Sequence, residues 1–164
     1  MDIVYRKSTK QDFIAIDRLL KTCFGDRFKY GALDNLDDRY LLAFHNNRLI
    51  GITGLTVNSP LFNGAEIDWT CLLPEYRGYG IIVNMISQVI EGCSQDIYCS
   101  CLRLHNSDKI NLHHSMEALG FKCIVKNHKT FHSPFHPACN DCVYKADVKC
   151  GCYEDLYLRK TEKD

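Results

Sequence analysis

The stretch 66-EIDWTCLLPEYRGYGIIVNMISQVI-90 decides the fold that we predict for this chain of 164 residues. It begins with β-forming residues, passes through a turn, and ends with apolar residues at helical spacing. Gly78 and Gly80 stand directly before the helix. A helix start presents N–H groups without intrahelical partners and the positive end of the helix dipole. Because glycine lets the backbone approach a ligand closely, the stretch predicts an anion site of the kind that binds phosphate groups.

The segments on either side predict one α/β domain. The predicted strands are 2–8, a hairpin over 40–57 around Asn46 and Asn47, 65–73, 96–104, 121–131 and 152–160, and the predicted helices are 12–24, 81–93 and 108–119. Thr9 followed by Asp12 indicates the start of the first helix. Residues 25–39 are interpreted as a polar loop or a short helix. Alternation of strand and helix in the second half indicates a partly parallel sheet.

Composition excludes several functional classes. A single domain is the expectation for this length, and 46% hydrophobic residues suffice for a core. Lysine plus arginine and aspartate plus glutamate each number 20, so no overall basic field favours nucleic acid or a membrane surface. No apolar run approaches the roughly 20 residues of a membrane span. The start, MDIVYRKSTKQDF, lacks the apolar segment of a secretory signal, so we expect a cytoplasmic protein.

The same stretch resembles the coenzyme A-binding motif of the GNAT (Gcn5-related) N-acetyltransferase superfamily, a strand followed by Pro-x-x-Arg-Gly-x-Gly and a long helix. The family pattern Gln/Arg-x-x-Gly-x-Gly/Ala falls on residues 77–82, with Ile82 at the last position. We expect the Ile82 side chain to enter the core while its N–H stays available. The segment ALGF at 118–121 resembles the second family motif. The resemblance implies a GNAT fold over residues 1–164, with a mixed, mostly antiparallel central sheet flanked by helices.

By that resemblance the cosubstrate is acetyl-CoA, whose pyrophosphate is held by backbone N–H groups at 77–82. The end of the preceding strand would pair with the pantetheine arm and hold the thioester carbonyl, where strands four and five of the family splay apart. The coenzyme-binding residues that the resemblance implies are Thr70, Cys71, Leu72, Arg77, Gly78, Tyr79, Gly80, Ile81 and Ile82.

Acetyl transfer to an amine needs a base, because an alkyl ammonium has a pKa of about 10.4 and must lose a proton to react. The period of two in strand 65–73 predicts one face carrying Glu66, Asp68, Thr70 and Leu72. A strand-four glutamate is the base in histone-acetylating members of the family, and Glu66 matches it. Asp68 is the second candidate. The alternative is that both carboxylates face solvent or clamp a cationic substrate.

The family often supplies a tyrosine as the acid that protonates the leaving thiolate, four residues before the Gly of Gly-Phe. That position is Met116, which has no proton to donate. His113 and His114 lie nearby in sequence, and Tyr79 or Tyr98 could approach from elsewhere. The acid therefore stays unassigned at this stage.

Ten cysteines are an unusual number. Six are scattered and are interpreted as small buried apolar residues, namely Cys23, Cys71, Cys93, Cys99, Cys101 and Cys123. Four cluster as Cys139-x2-Cys142-x7-Cys150-x-Cys152. Four thiolates at this spacing predict a structural Zn²⁺ site in a hairpin insertion over 132–152. His136 in place of one cysteine, free thiols and a disulfide are the alternatives.

Two functions of different classes follow. The first is an acetyl-CoA-dependent N-acetyltransferase whose acceptor is a small-molecule or protein amine attacking in a ternary complex. The second is a non-catalytic module of the same shape that senses coenzyme A or docks a partner through the zinc hairpin. A zinc-containing nucleic-acid adaptor is a distant third, because residues 139–152 hold two lysines, two aspartates and no arginine. A homodimer is left open.

Overall fold

The computed structural model describes residues 1–24, 36–103, 112–128 and 153–161. These residues form a seven-stranded sheet packed against helices. The strands are β1 (Val4–Lys7), β2 (Tyr40–His45), β3 (Arg48–Thr56), β4 (Ala65–Leu72), β5 (Ile97–Arg103), β6 (Lys122–His128) and β7 (Tyr153–Arg159). The helices are α1 (Phe13–Phe24), α2 (Ile81–Ile90) and α3 (His113–Ala118), with short 3₁₀ turns at Lys10–Asp12 and Pro74–Tyr76. The predicted α/β class and the order of its elements are confirmed.

The sheet is mixed and mostly antiparallel, as predicted. Its strand order is β1-β2-β3-β4-β5-β7-β6, and β4–β5 is the parallel pair among its neighbours. This pair is short: Ala65–Ile67 lies opposite Ile97–Cys99, and the pairing ends there. β4 nevertheless continues to Leu72 beside β3, and β5 continues to Arg103 beside β7. The two central strands therefore separate halfway along their length and leave an opening in the middle of the sheet.

Two apolar clusters hold the helices on the sheet, and α2 contributes to both of them. Ile81 and Met85 belong to the cluster that also contains the buried face of α1. Ile86 and Ile90 belong to the cluster formed with β5, α3 and β7. Burying one such side chain stabilises a fold by about 2 kcal/mol, so α2 is anchored along its whole length. This anchoring positions the start of α2 beside the opening in the sheet.

The entry into α1 follows the predicted Thr9 and Asp12 pattern. The Thr9 amide and hydroxyl both donate to Asp12 Oδ2, at 2.8 and 2.9 Å. The Arg6 guanidinium donates to both oxygens of the same carboxylate, at 2.8 and 2.6 Å. These contacts, led by the hydrogen bond from Arg6, lower the pKa of Asp12 from 3.8 to about 2. Asp12 is therefore ionised in the folded protein and joins β1 to the start of α1.

We expect Asp12→Asn to lower the free energy of unfolding at pH 7 by about 1 to 2 kcal/mol, because it weakens this cap and its ion pair. A carboxylate whose pKa falls on folding stabilises the protein above its unfolded pKa, and that stabilisation is lost as the pH falls through the folded pKa. The difference in the free energy of unfolding between the wild type and Asp12→Asn should therefore shrink as the pH falls from 3.8 to about 2. Urea unfolding across this range measures it. Asp17→Asn, which removes an exposed pair with Lys21, is the control with a small effect.

Besides the ends of the predicted strands 96–104, 121–131 and 152–160, three predicted features lie wholly or partly outside the described residues. They are the loop 25–39, the helix 108–119, of which His113–Ala118 is described, and the insertion 132–152 with Cys139, Cys142, Cys150 and Cys152. In the described part of the chain, no helix has the length and apolar character needed to cross a membrane.

Candidate active site

A β-bulge in β4 shapes the strand at the opening. Gly54 lies opposite Asp68, but Ile52 lies opposite Cys71, so one residue of β3 faces two of β4. Trp69 sits at this irregularity with a φ of 45°, a left-handed conformation that is strained for a large side chain. The bulge breaks the alternation of side chains between the two faces of β4.

The predicted face of Glu66, Asp68, Thr70 and Leu72 is therefore wrong in its second half. Side chains of directly paired strand residues lie on one face, so Glu66, Asp68 and Cys71 share a face with Thr56, Gly54 and Ile52. Thr70 Oγ1 instead lies 2.7 Å from Thr53 Oγ1, on the opposite face. Leu72 also points there, toward α2: a Cβ on Gly51 would be 2.8 Å from Leu72 Cδ1 and 3.3 Å from Met85 Sδ. The extra residue of the bulge causes this change.

A turn connects the end of β4 to α2. The Arg77 amide donates to Pro74 O at 3.2 Å and closes the 3₁₀ turn, while Arg77 Nε donates to Leu72 O at 3.2 Å. Tyr76 OH lies 3.1 Å from His45 Nδ1 in the β2–β3 hairpin. The turn is thereby tied to two strands, β4 and β2, before α2 begins.

Gly78 and Gly80 adopt left-handed conformations, with φ of 86° and 74°. Apart from the two neighbours in the chain, a Cβ added at either position would meet no atom of the described residues within 4 Å. The space beside both glycines is therefore open to a ligand, and backbone conformation rather than packing requires glycine there. Gly78 and Gly80 therefore suit a ligand, such as a phosphate group, that approaches the backbone closely.

The first turn of α2 supplies N–H groups that have no partner within the helix. Gly80 is the N-cap, and the first bond of the helix runs from the Asn84 amide to Gly80 O at 3.0 Å. The amides of Ile81, Ile82 and Val83 precede that bond, which leaves them available to an anion. The Ile82 side chain packs against both apolar clusters, as expected for this departure from the family pattern.

Glu66 lies on β4 just before the two central strands separate, beside aromatic and hydroxyl side chains. Ser59 Oγ donates to Glu66 Oε2 at 2.7 Å. Tyr98 pairs with Glu66 across the sheet and stacks on Phe62, with ring centroids 4.7 Å apart. Burial raises the pKa of the Glu66 carboxyl above its ordinary value, and the Ser59 hydrogen bond opposes that shift. The negative charges of nearby carboxylates raise it further.

Asp68 has a different environment from Glu66 on the same face. Asp68 Oδ2 accepts hydrogen bonds from Thr56 Oγ1 at 2.8 Å and from Arg39 Nη2 at 3.2 Å. Its other oxygen, Oδ1, is buried among the described residues without a hydrogen-bond partner, as is Tyr40 OH. A Cβ on Gly54 would be 2.2 Å from Oδ1, so glycine at that position makes room for the carboxylate. Asp68 is thus enclosed by protein and paired with a cation.

At α3, the structure shows a contact that sequence reasoning missed. Met116 is fully buried in the second apolar cluster. His113 Nδ1 instead hydrogen-bonds the hydroxyl of Tyr157, a residue of β7. His113 Nε2 also lies 3.2 Å from Glu117 Oε1. Tyr157 lies on a strand more than 40 residues after His113, and no local sequence pattern predicts their contact.

The opening between β4 and β5, with the glycine turn and the free helix start beside it, can be compared with known proteins. The model of the acetyltransferase (GNAT) family matches residues 9–121. The chain belongs to the GNAT family. No curated protein sequence matches this one.

Solved structures share this GNAT fold at low sequence identity. A GNAT-family acetyltransferase from Bacillus cereus ATCC 10987 has a TM-score of 0.68 and 14% identity, with 99% of this chain and 100% of that chain covered. Arabidopsis thaliana Naa50, in complex with the bisubstrate analogue CoA-Ac-MVNAL, has a TM-score of 0.67 and 14% identity over 98% and 100%. The ribosomal-protein-S18-alanine N-acetyltransferase from Escherichia coli has a TM-score of 0.69 and 10% identity over 99% and 96%.

A metal site is not found among residues 1–24, 36–103, 112–128 and 153–161, where no three His, Cys, Asp or Glu side chains are grouped to hold an ion. The predicted zinc ligands Cys139, Cys142, Cys150 and Cys152 lie outside those ranges.

Proposed function

We propose that this GNAT protein is an N-acetyltransferase that transfers the acetyl group of acetyl-CoA to an amine. One observation carries the proposal: β4 and β5 separate beside a helix start whose two left-handed glycines leave open space. The first amides of α2 would bind the pyrophosphate, and Arg77 and Tyr79 flank it. The free edge of β4 from Thr70 to Leu72 would pair with the pantetheine arm. Its backbone N–H groups would stabilise the oxyanion that forms at the thioester carbonyl.

Glu66 is our proposed general base, in preference to Asp68. Asp68 Oδ2 is already bonded to Arg39 and Thr56, so protonating that carboxylate would disrupt an ion pair. Glu66 has a single described hydrogen bond, from Ser59, and its pKa is raised toward neutral pH by burial. A base works best when its pKa lies near the working pH. Glu66 would accept the proton of the amine as the nitrogen attacks, directly or through a water, and the coenzyme thiolate would leave.

The acceptor is proposed to be a small-molecule or protein amine. Thiol release from acetyl-CoA, measured across free amino acids, alkylamines and peptide N-termini, tests the activity. Calorimetric titration of the folded protein with coenzyme A tests the binding site separately. Turnover with at least one amine is the expected result. Binding without turnover for any amine would favour the non-catalytic coenzyme sensor, and the absence of binding would overturn both functions.

We also propose that Cys139, Cys142, Cys150 and Cys152 bind one structural Zn²⁺. β6 ends at His128 and β7 begins at Tyr153, and these strands are antiparallel neighbours. All four cysteines therefore belong to one connection between adjacent strand ends. Thiolates are ligands that Zn²⁺ prefers, and four of them would complete a tetrahedral site that folds together with the connection.

The zinc proposal predicts about one equivalent of zinc in the purified protein and its loss in Cys139→Ser. Cys93→Ser, which removes a thiol from the α2–β5 connection, should keep the metal. Elemental analysis by mass spectrometry, together with thermal unfolding in the presence and absence of a chelator, measures both effects. Protein purified without chelators and free of zinc would contradict the site.

A further inference from the structure

A row of three paired residues crosses the sheet next to Glu66, and Arg39 lies at its end. Tyr40 of β2 lies opposite Gly54 of β3, which lies opposite Asp68 of β4. A Cβ on Gly54 would be 2.7 Å from Tyr40 Cδ1 and 2.2 Å from Asp68 Oδ1, so the ring and the carboxylate both cover this glycine. The Arg39 guanidinium lies over the Tyr40 ring, with Cζ 5.1 Å from the ring centroid. The row therefore brings a cation, a phenol and a carboxylate to the face of the sheet that carries Glu66.

Asp68 holds the Arg39 guanidinium in this position. Arg39 Nη2 donates to Asp68 Oδ2 at 3.2 Å. The Asp68 side chain is only 17% exposed, so its charge would be costly to leave without a cation. Tyr40 OH is buried without a hydrogen-bond partner among the described residues and does not donate to this carboxylate. The ion pair and the ring together fix Arg39 before any ligand binds, which lowers the entropy cost of binding one.

The Arg39 guanidinium keeps donors for a second partner. Arginine carries five N–H donors, and the bond to Asp68 is the one side-chain hydrogen bond that Arg39 makes within the described part of the chain. The Arg39 side chain is 35% exposed, so the ion pair does not close it off from a ligand. A planar guanidinium matches a carboxylate, which accepts two parallel hydrogen bonds from it. Arg39 therefore suits an anionic group on a ligand.

Thr56 connects this cation to the proposed base. Thr56 pairs directly with Glu66 across β3 and β4, and its hydroxyl donates to Asp68 Oδ2 at 2.8 Å. Glu66 and Asp68 lie two residues apart on one face of β4, so their Cα atoms are separated by about 6.6 Å. An α-amino acid covers a comparable length, with about 3 Å between its amine nitrogen and a carboxylate oxygen and about 2.9 Å for a hydrogen bond at each end. One such molecule can reach Glu66 with its amine and Arg39 with its carboxylate.

We propose that Arg39 binds the carboxylate of the acceptor, and that the acceptor is a free α-amino acid whose amine is directed toward Glu66. This inference rests on the proposed function and names its substrate class. The charges on this face disfavour a polycationic acceptor, because Arg39 neutralises Asp68 and repels a second ammonium group. An amine without a carboxylate leaves the donors of Arg39 unused, so it binds less tightly than the matching amino acid.

Acetyl transfer to matched acceptors tests the carboxylate contact. Each standard α-amino acid is compared with its α-carboxamide, which has the same side chain and amine but no negative charge. Thiol release gives kcat/KM for both acceptors, and the ratio of acid to carboxamide is compared between proteins, so that the different basicities of the two amines cancel. Arg39→Gln should lower this ratio about tenfold to a hundredfold, mainly through a higher KM for the acid. Arg39→Lys keeps the charge but loses the planar fork, so its loss should be smaller.

Controls separate the contact from a structural role of Arg39. A merely structural role would lower kcat/KM for acid and carboxamide together and leave their ratio unchanged. Arg159→Gln removes an exposed arginine at the end of β7 and should keep the wild-type ratio. Because Arg39→Gln leaves the Asp68 charge without its cation, the double variant with Asp68→Asn replaces it if the single variant unfolds, and its ratio should fall equally.

Binding of the acetylated products separates this inference from the proposed function. Thermal unfolding in the presence of coenzyme A is measured with the N-acetyl α-amino acids and with their carboxamides. The acids should raise Tm of the wild type more than the carboxamides do, and Arg39→Gln should abolish the difference. That result without turnover of any amine would reject the enzyme and keep the carboxylate contact. Equal ratios in the wild type and Arg39→Gln would overturn the inference, as would equal stabilisation by acids and carboxamides if no amine is turned over.

Discussion

Gly80→Asp is expected to weaken coenzyme A binding by roughly a hundredfold while leaving the protein folded. The aspartate would place a negative charge in the open space beside the first amides of α2, where we propose the pyrophosphate binds. Two unit charges about 5 Å apart at an effective dielectric of about 20 repel by about 3 kcal/mol, which corresponds to that loss of affinity. Aspartate also tolerates the left-handed backbone better than most residues. An acidic residue at a helix start is itself stabilising, so unfolding would not explain the loss.

Two matched variants isolate the cause. Gly92→Asp adds the same charge at the other end of α2, where Gly92 has a φ of 73° and equally open surroundings. It should leave coenzyme affinity near that of the wild type. Gly80→Asn keeps the size and shape of the new side chain without its charge, so its loss should be smaller and less dependent on salt. Calorimetric titration with coenzyme A measures all three variants. Equal losses at Gly80 and Gly92 would refute the binding site at the helix start.

The glycine turn could be predicted from sequence because its signal is local. A strand, a turn with two glycines and an amphipathic helix follow one another within 25 residues, and each element depends on its own residues. The separation of β4 from β5 was expected only through the family resemblance. This separation depends on the pairing of β5 with β7. Because β7 lies more than 50 residues further along the chain, the sequence near β4 and β5 does not predict it.

The bulge at Trp69 shows why alternation in the sequence could not predict the face of every side chain on β4. Trp69 and Thr70 are both good strand formers, so the sequence of β4 predicts unbroken alternation. Thr53 of β3 nevertheless faces both residues, and this pairing turns Thr70 and Leu72 away from Glu66. The distinction between Glu66 and Asp68 likewise depends on Ser59, Thr56 and Arg39, which lie on other segments. These contacts depend on the tertiary fold, so the sequence of strand 65–73 does not predict them.

Glu66→Gln should lower kcat by about 10² to 10⁴, the range of a lost general base, without changing coenzyme A affinity. Glutamine keeps the shape of the side chain and can still interact with Ser59 Oγ, but it cannot accept the proton of the amine. In the wild type, kcat should fall as the pH drops, because only the ionised carboxylate acts as a base. The midpoint should lie above the ordinary glutamate pKa of 4.5, since burial raises the pKa of Glu66. Asp68→Asn should keep most of its activity at pH values well above this midpoint.

Two neighbouring variants should move that midpoint in opposite directions. Ser59→Ala removes the hydrogen bond that lowers the pKa of Glu66, so the acid limb of the kcat profile should shift to higher pH. Asp68→Asn removes a negative charge that raises the same pKa, so the limb should shift to lower pH. A purely structural role for Ser59 or Asp68 would change the amplitude of kcat and leave the midpoint in place. If Asp68→Asn abolishes turnover while Glu66→Gln retains it, the base is Asp68, and its bond to Arg39 must open before catalysis.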